Sequence, residues 1–313
     1  MIRPLVPRLA IIGAGLIGSS LARAAREKHL AGTIVVADAD AAVCARVREL
    51  GFANEVTQSA AEAAKDADIV IACVPVGASG AVAAEVGPHL KPGAILSDVG
   101  SVKASVLEAM APFVPAHAHL VPAHPVAGTE FSGPDAGFAT LFENRWCIVT
   151  PPEGADPAAV DRVVALWRAA GANVETMSAQ HHDLVLAITS HVPHLIAYNI
   201  VGTAAELEET LTSEVIKFSA GGFRDFTRIA SSDPTMWRDV FLSNREAVLE
   251  MLGRFTEDLT ALQRAIRYGD GDALFEHFTR TRAIRRSIIE QGQETAAPDF
   301  GRRAAEKPKH EQS

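Results

Sequence analysis

The run Ile11-Ile12-Gly13-Ala14-Gly15-Leu16-Ile17-Gly18 constrains this chain more than any other feature. Glycines spaced G-x-G-x-x-G are weak evidence alone, because glycine recurs by chance in a chain rich in Ala and Gly. Their setting is specific. The run Leu9–Ile12 reads as a strand, Ile17–Lys28 as a helix, and Asp38 closes the next β-branched run about 20 residues further on. In such a strand–turn–helix unit Gly13 permits the tight turn, Gly15 lets the backbone approach a pyrophosphate, and Gly18 lets helix and strand pack closely. Leu16 and Ile17 open the helix whose N–H groups receive the phosphates. Asp38 is expected to accept from the adenosine ribose hydroxyls and to repel a 2′-phosphate, which favours NAD over NADP. Asp40 is a nearby rival, further from the strand end, and a turn or helix cap is the plainer role for Asp38.

The same rhythm continues. Strands are expected at Thr33–Ala37, Ile69–Val74, Gly93–Asp98, His119–Pro122, Trp146–Thr150 and Asn173–Thr176, with helices at Ala41–Leu50 and Pro157–Ala170. This alternation predicts an α/β fold whose N-terminal part is a Rossmann-type doubly wound parallel sheet. Val74 and Pro75, at the carboxyl end of one strand, are expected to line the cofactor, and Cys73 reads as a small buried residue. After about residue 180 the pattern turns helical, over His182–Leu211 and Met236–Tyr268, so an all-α C-terminal domain is expected. The divisions are 1–179 for dinucleotide binding, 180–295 for a helical substrate and dimerisation domain, and 296–313 for a disordered tail. Phe241, Val248, Leu252, Phe255, Leu259, Leu262 and Ile266 form a heptad seam. It reads either as packing within one chain or as a subunit interface. A homodimer is the favoured expectation.

A chain of 313 residues with 48% apolar content can bury a sizeable core. Its net charge of -9 argues against nucleic acid as a partner. An anionic ligand must then be held by a few local groups. Cys44, Cys73 and Cys147 are odd in number and lack metal-type spacing, which fits a reduced, cytoplasmic setting. Arg3 and Arg8 before the apolar run Leu9–Gly18 resemble a signal peptide, but a first strand entering a glycine turn explains more of the downstream sequence. Pro75 and Glu85 interrupt the apolar stretch 69–87, so no membrane span is expected there. His117, His119 and His124 lack a matched carboxylate or thiolate spacing, so no metal is expected. Nothing before Leu9 or after about residue 295 suggests a fused module, so a monofunctional enzyme is expected.

Three polar, glycine-rich segments come after strands and read as irregular: Asp98–Lys103, 124–130 and Gly221–Ala230. Together IIGAGLIG, CVPV, DVGSVK, LVPAH, HPVAGTE and GGFRDFTRIASSDPTMW resemble the prephenate and arogenate dehydrogenases, from about residue 8 to residue 290. HPVAGTE followed by GGFRDFTRIA is far more specific than the glycine motif. The resemblance implies an NAD-dependent oxidative decarboxylation in tyrosine biosynthesis. It makes His124 the catalytic base, Ser101 a contact to substrate and nicotinamide, and Arg228 the ligand of the ring carboxylate. By the same resemblance Thr129, Glu130 and Asp225 belong to the substrate pocket, and His194 lies near the substrate side chain.

Those residue types suit the chemistry. Removing a hydride from the hydroxyl-bearing ring carbon releases a hydroxyl proton, and a neutral imidazole accepts it near neutral pH. Arginine's planar fork binds both oxygens of a carboxylate. A serine hydroxyl fixes the reacting hydroxyl. Each residue also has a plainer role. His124 reads as a loop histidine, Arg224 and Arg228 as helix-face ion-pair partners of Asp225 or Glu130, and Lys103 as a surface lysine or an anchor of the Ser101 loop. His191 and His194, three apart on an apolar helix, read by default as core residues. Trp237 is a core residue or a wall of the pocket. A β-hydroxyacid, 6-phosphogluconate or pyrroline-carboxylate type of enzyme is the closest rival, and the 6-phosphogluconate type calls for a lysine where His191 and His194 stand. A nicotinamide-sensing regulator would need no base. Prephenate and arogenate differ only by keto against amino, and the residues do not choose between them.

Overall fold

In the computed structural model, which describes residues 4–129, 131–211 and 221–290, six strands form one parallel sheet. They are β1 (Val6–Ile12), β2 (Ala31–Ala37), β3 (Glu55–Thr57), β4 (Ile69–Ala72), β5 (Ile95–Asp98) and β6 (His119–Leu120), in the order β3-β2-β1-β4-β5-β6. Successive residues point to opposite faces. Leu9, Ile11, Ile69, Ile71 and Ile95 enter one core with Leu21, Phe142 and Trp167, whereas Ala10, Ile12, Val70, Ala72 and Leu96 enter another with Ala60, Val86 and Met110. Both faces are buried, which is why these strands read as unbroken apolar runs. The strand order reverses between β1 and β4, and the crevice at their carboxyl ends is where such sheets take ligands.

A second sheet joins β7 (Ala123–Pro125), β8 (Trp146–Val149) and β9 (Asn173–Thr176), with β7 antiparallel and β9 parallel to β8. The expected single strand His119–Pro122 is therefore divided. Val121 N–H makes the last bond to Leu96 of β5, and the Pro122 carbonyl accepts from Thr150 beyond β8. Proline has no N–H with which to continue the first ladder, so the chain changes sheets there. His124, read from sequence as part of an irregular segment, thus lies on a strand opposite Ile148.

From Ala179 onward the described residues are mainly helical, as expected, with differences in detail. Ala179–Leu186, a π-turn over Ala187–His191 and Val192–Leu211 succeed one another without a break. Residues 179–206 have the length and apolarity of a membrane span. Within them His182, Asp183 and His191 are buried among protein groups, although most of the apolar stretch is not. Gly221–Thr227 is a helix followed by a 3₁₀ turn, Arg228–Ser231, where an irregular segment was expected. Met236–Tyr268 is divided into Pro234–Ser243 and Arg245–Tyr268, because the Asn244 side chain is drawn inward toward Asp183 and His191.

The chain divides into two compact units, Met1–Leu252 and Gly253–Ser313. In the second, the end of the helix Arg245–Tyr268 leads through Gly269 (φ 68°) to the helix Gly271–Glu290. Several of its large apolar residues stand in solvent: Leu259 is 52% exposed and Ile266 67%, and Phe275, Phe278 and Ile284 are exposed too. The expected tail, 296–313, and Glu130 lie outside the described residues.

Candidate active site

The crevice between β1 and β4 has the shape its glycines imply. Gly13 has φ of 100°, and a Cβ there would meet the Cys73 carbonyl oxygen at 2.3 Å. A Cβ on Gly18 would meet the Gly13 carbonyl oxygen at 2.0 Å. At Gly15 it would meet nothing within 4 Å, so the surface above the turn is open. Gly15 precedes the helix Leu16–Glu27 and supplies no side-chain cap. The positive end of that helix, including Leu16 and Ile17, is thus free of any capping side chain and suited to a pyrophosphate. Asp38, just past β2, accepts from Ala14 N at 2.9 Å and from Asp40 N at 3.0 Å. Asp40 instead caps the next helix, accepting from Ala42 N at 2.7 Å. Val74 is half-buried and Pro75 exposed at the lip. These residues fit a dinucleotide.

Beyond the crevice a line of hydrogen bonds runs into the protein. His124 is only 8% exposed, and its Nδ1 lies 2.8 Å from His182 Nε2. His182 Nδ1 lies 2.8 Å from Asp183 Oδ1, and the same carboxylate accepts from the backbone N–H of Lys103 (2.7 Å) and Ala104 (2.9 Å). A carboxylate only accepts, so neutral His182 carries its proton on Nδ1. Its Nε2 then accepts from His124 Nδ1–H, and the lone pair of His124 is left on Nε2. Burial, followed by His182, Lys103 and His191, holds the His124 pKa well below the ordinary value, so the ring is neutral at pH near 7.

Lys103 is no surface lysine. Fully buried, it pairs with Asp98 and donates to the Ala123 carbonyl at 2.8 Å. Asp98 in turn accepts from Gly100 N at 2.7 Å and from Ala123 N at 3.3 Å. Burial lowers the Lys103 pKa, and Asp98 opposes that fall. The pair fixes the loop carrying half-buried Ser101 to the strand carrying His124.

His191 is buried, with Nδ1 3.1 Å from Asn244 Nδ2, and the Asn244 amide also donates to the Asp183 carbonyl at 2.8 Å. Burial pushes the His191 pKa down to about 4, and the Ser101 backbone faces its ring. His194 stacks on Trp237, with ring centroids 3.7 Å apart and planes at 24°. Its Nδ1 lies 2.8 Å from the Ser190 carbonyl, which leaves Nε2 as an acceptor in the neutral ring. Half-buried Arg228 is near enough to His194 to lower its pKa further, after burial and against the Ser190 bond. Arg224 and Asp225 are exposed on the preceding helix, and half-buried Thr129 accepts from Phe131 N at 3.3 Å.

Residues 21–176 match the model of the prephenate dehydrogenase nucleotide-binding domain, and residues 178–280 that of the prephenate dehydrogenase dimerization domain. The chain belongs to the prephenate dehydrogenase family. It is 43% identical to the cyclohexadienyl dehydrogenase of Zymomonas mobilis over 280 residues, which are 90% of this chain and 95% of that protein. With the prephenate dehydrogenase of Bacillus subtilis it shares 32% identity over 293 residues, 93% of this chain and 78% of the other. Among solved structures, that of Aquifex aeolicus prephenate dehydrogenase in complex with hydroxyphenyl propionate and NAD+ superposes with a TM-score of 0.83 at 32% identity, covering 90% of this chain and 98% of that one.

Within this prephenate dehydrogenase fold, Ser101, His124, His191 and His194 gather at one place, with Arg228 beside His194. Asp225 is exposed on the helix that leads into Arg228. Sequence reading passed over His182, Asp183 and Asn244. Adjacent helical residues point apart, so no spacing marks His182 and Asp183 as partners. The one available sign was a carboxylate near the start of an apolar run.

Proposed function

We propose that this chain oxidises prephenate, arogenate or both with NAD, releasing carbon dioxide and an aromatic 4-hydroxyphenyl product on the way to tyrosine. Besides family membership, the lone pair left on His124 Nε2 supports this reading, because the reaction needs a neutral base where the ring hydroxyl loses its proton. NAD, when bound by Gly13, Gly15, Leu16, Ile17, Gly18, Asp38, Val74 and Pro75, supplies the hydride acceptor. His124 takes the hydroxyl proton, Ser101 orients that hydroxyl, and Arg228 holds the ring carboxylate until it departs and the ring becomes aromatic. His194, with Thr129, Glu130 and Asp225, lines the rest of the substrate site. The half 1–179 holds the cofactor, and 180–295 completes the substrate site.

A homodimer is part of the same reading. It is supported by the match to a dimerization domain and by the exposed apolar residues from Leu259 to Ile284. The three cysteines are unpaired, which supports a reducing, cytoplasmic compartment.

The test is reduced-nicotinamide absorbance with prephenate, arogenate and a β-hydroxyacid offered side by side. Turnover of a cyclohexadienyl acid is expected. Turnover of the β-hydroxyacid alone would replace this reading with its rival.

A further inference from the structure

The chain of bonds behind His124 ends on a carboxylate that is itself firmly held. Asp183 accepts from two backbone N–H groups and from His182, and its carbonyl accepts from Asn244. A proton arriving at His124 Nε2 therefore has a place to send its charge. Resting on the proposed role of His124 as base, we propose that His182 takes the Nδ1 proton of His124 as Nε2 receives the substrate's hydroxyl proton. The step balances. The substrate O–H bond breaks and an N–H bond forms at His124 Nε2, while the His124 Nδ1–H bond breaks and an N–H bond forms at His182 Nε2. One proton enters the pair, and the single positive charge comes to rest on His182 against Asp183.

The surroundings favour that resting place. His124 faces His182, Lys103 and His191, which all oppose a positive charge on it. His182 faces Asp183 and Asp98, which favour such a charge, and Lys103, His124 and His191, which do not. Burial lowers both histidines, and among these groups His182 has the directly bonded carboxylate that offsets the loss. Before the reaction His182 is a positioning residue, since it selects the His124 tautomer. Afterwards it holds the charge.

His182→Gln separates the two tasks. A glutamine carbonyl still accepts from His124 Nδ1–H but takes up no proton. The expected result is a fall in kcat of about 10²-fold with KM for NAD and substrate unchanged, and an acid limb of the kcat/KM profile moved to lower pH. Normal kcat, or a lower kcat with the acid limb unmoved, would overturn the proton transfer. Nitrogen-15 histidine spectra of the wild-type enzyme test it without any substitution. They should show His124 protonated at Nδ1 near neutral pH and His182 gaining the first proton on acidification. If His124 gains it first, the proposal fails. His124→Asn assayed in parallel keeps the two readings distinct: full turnover in that variant removes the base itself rather than its partner.

Discussion

The Lys103 ammonium is paired with the Asp98 carboxylate where neither reaches solvent, and it also holds the Ala123 carbonyl beside His124. One buried cation thus joins the end of β5, the Ser101 loop and the strand that carries His124. Lys103→Met would leave the Asp98 carboxylate buried without its cation, at a cost of about 3–5 kcal/mol. For a domain of this size the melting temperature should fall by about 10 °C. A fall of less than about 2 °C in a thermal scan would show the pair to be expendable.

Cofactor choice should follow Asp38. Asp38→Ser removes a charge that repels a 2′-phosphate, so the ratio of kcat/KM with NAD to that with NADP should fall about tenfold. The same change removes a bond to Ala14 N, so KM for NAD itself should rise. A wild-type enzyme that prefers NADP would refute the assignment.

His124 and Arg228 should fail differently. His124→Asn is expected to lower kcat by about 10²–10⁴-fold with little change in KM. Arg228→Ala should chiefly raise substrate KM, because a charged two-pronged hydrogen bond of about 1.5–3 kcal/mol is lost. NAD binding, followed by nucleotide fluorescence, should survive both. If His124→Asn turns over normally, the base lies elsewhere.

Acid should affect rate and stability together. With His124 held well below its ordinary value of about 6.5, the rate should stay level down to about pH 6.5 and fall only below it. For stability, His191 titrates at about 4 in the fold and at about 6.5 unfolded. A depressed histidine pKa means that the unfolded chain binds the proton first. Its contribution is whole above about pH 6.5 and is lost as pH falls toward about 4, at up to about 1.4 kcal/mol per unit. His124 and His182 act in the same direction. Denaturant unfolding at about pH 7.5 and about pH 5 should show the loss, and equal stabilities would contradict it.

Association should depend on the exposed end of the seam. Val248 is buried and Leu252 half-buried in the first unit, whereas Leu259 and Ile266 stand in solvent. Glutamate at both exposed positions should yield monomer, or protein that fails to fold without its partner. Light scattering that finds wild-type monomer at micromolar concentration would end the dimer reading.

Local order left its mark in the sequence. The glycine turn, Asp38 and most strands of the main sheet are set by neighbours in the chain, through φ, side-chain volume and burial on both faces. β3 and β7 left none, each being three residues long and lacking an apolar period. The heptad from Phe241 showed a helical face but not the break at Asn244, since the pull on that amide comes from Asp183 and His191, distant in sequence.

Residue types and their order were enough to indicate a dinucleotide crevice, a helical second half and a histidine suited to act as a base. Which nitrogen of His124 keeps the lone pair was decided only by the tertiary structure. That depends on His182, 58 positions away, and on a carboxylate whose charge is held by the backbone at Lys103 and Ala104. Hydrogen-bond polarity passes through space along such a chain, and no local period encodes it.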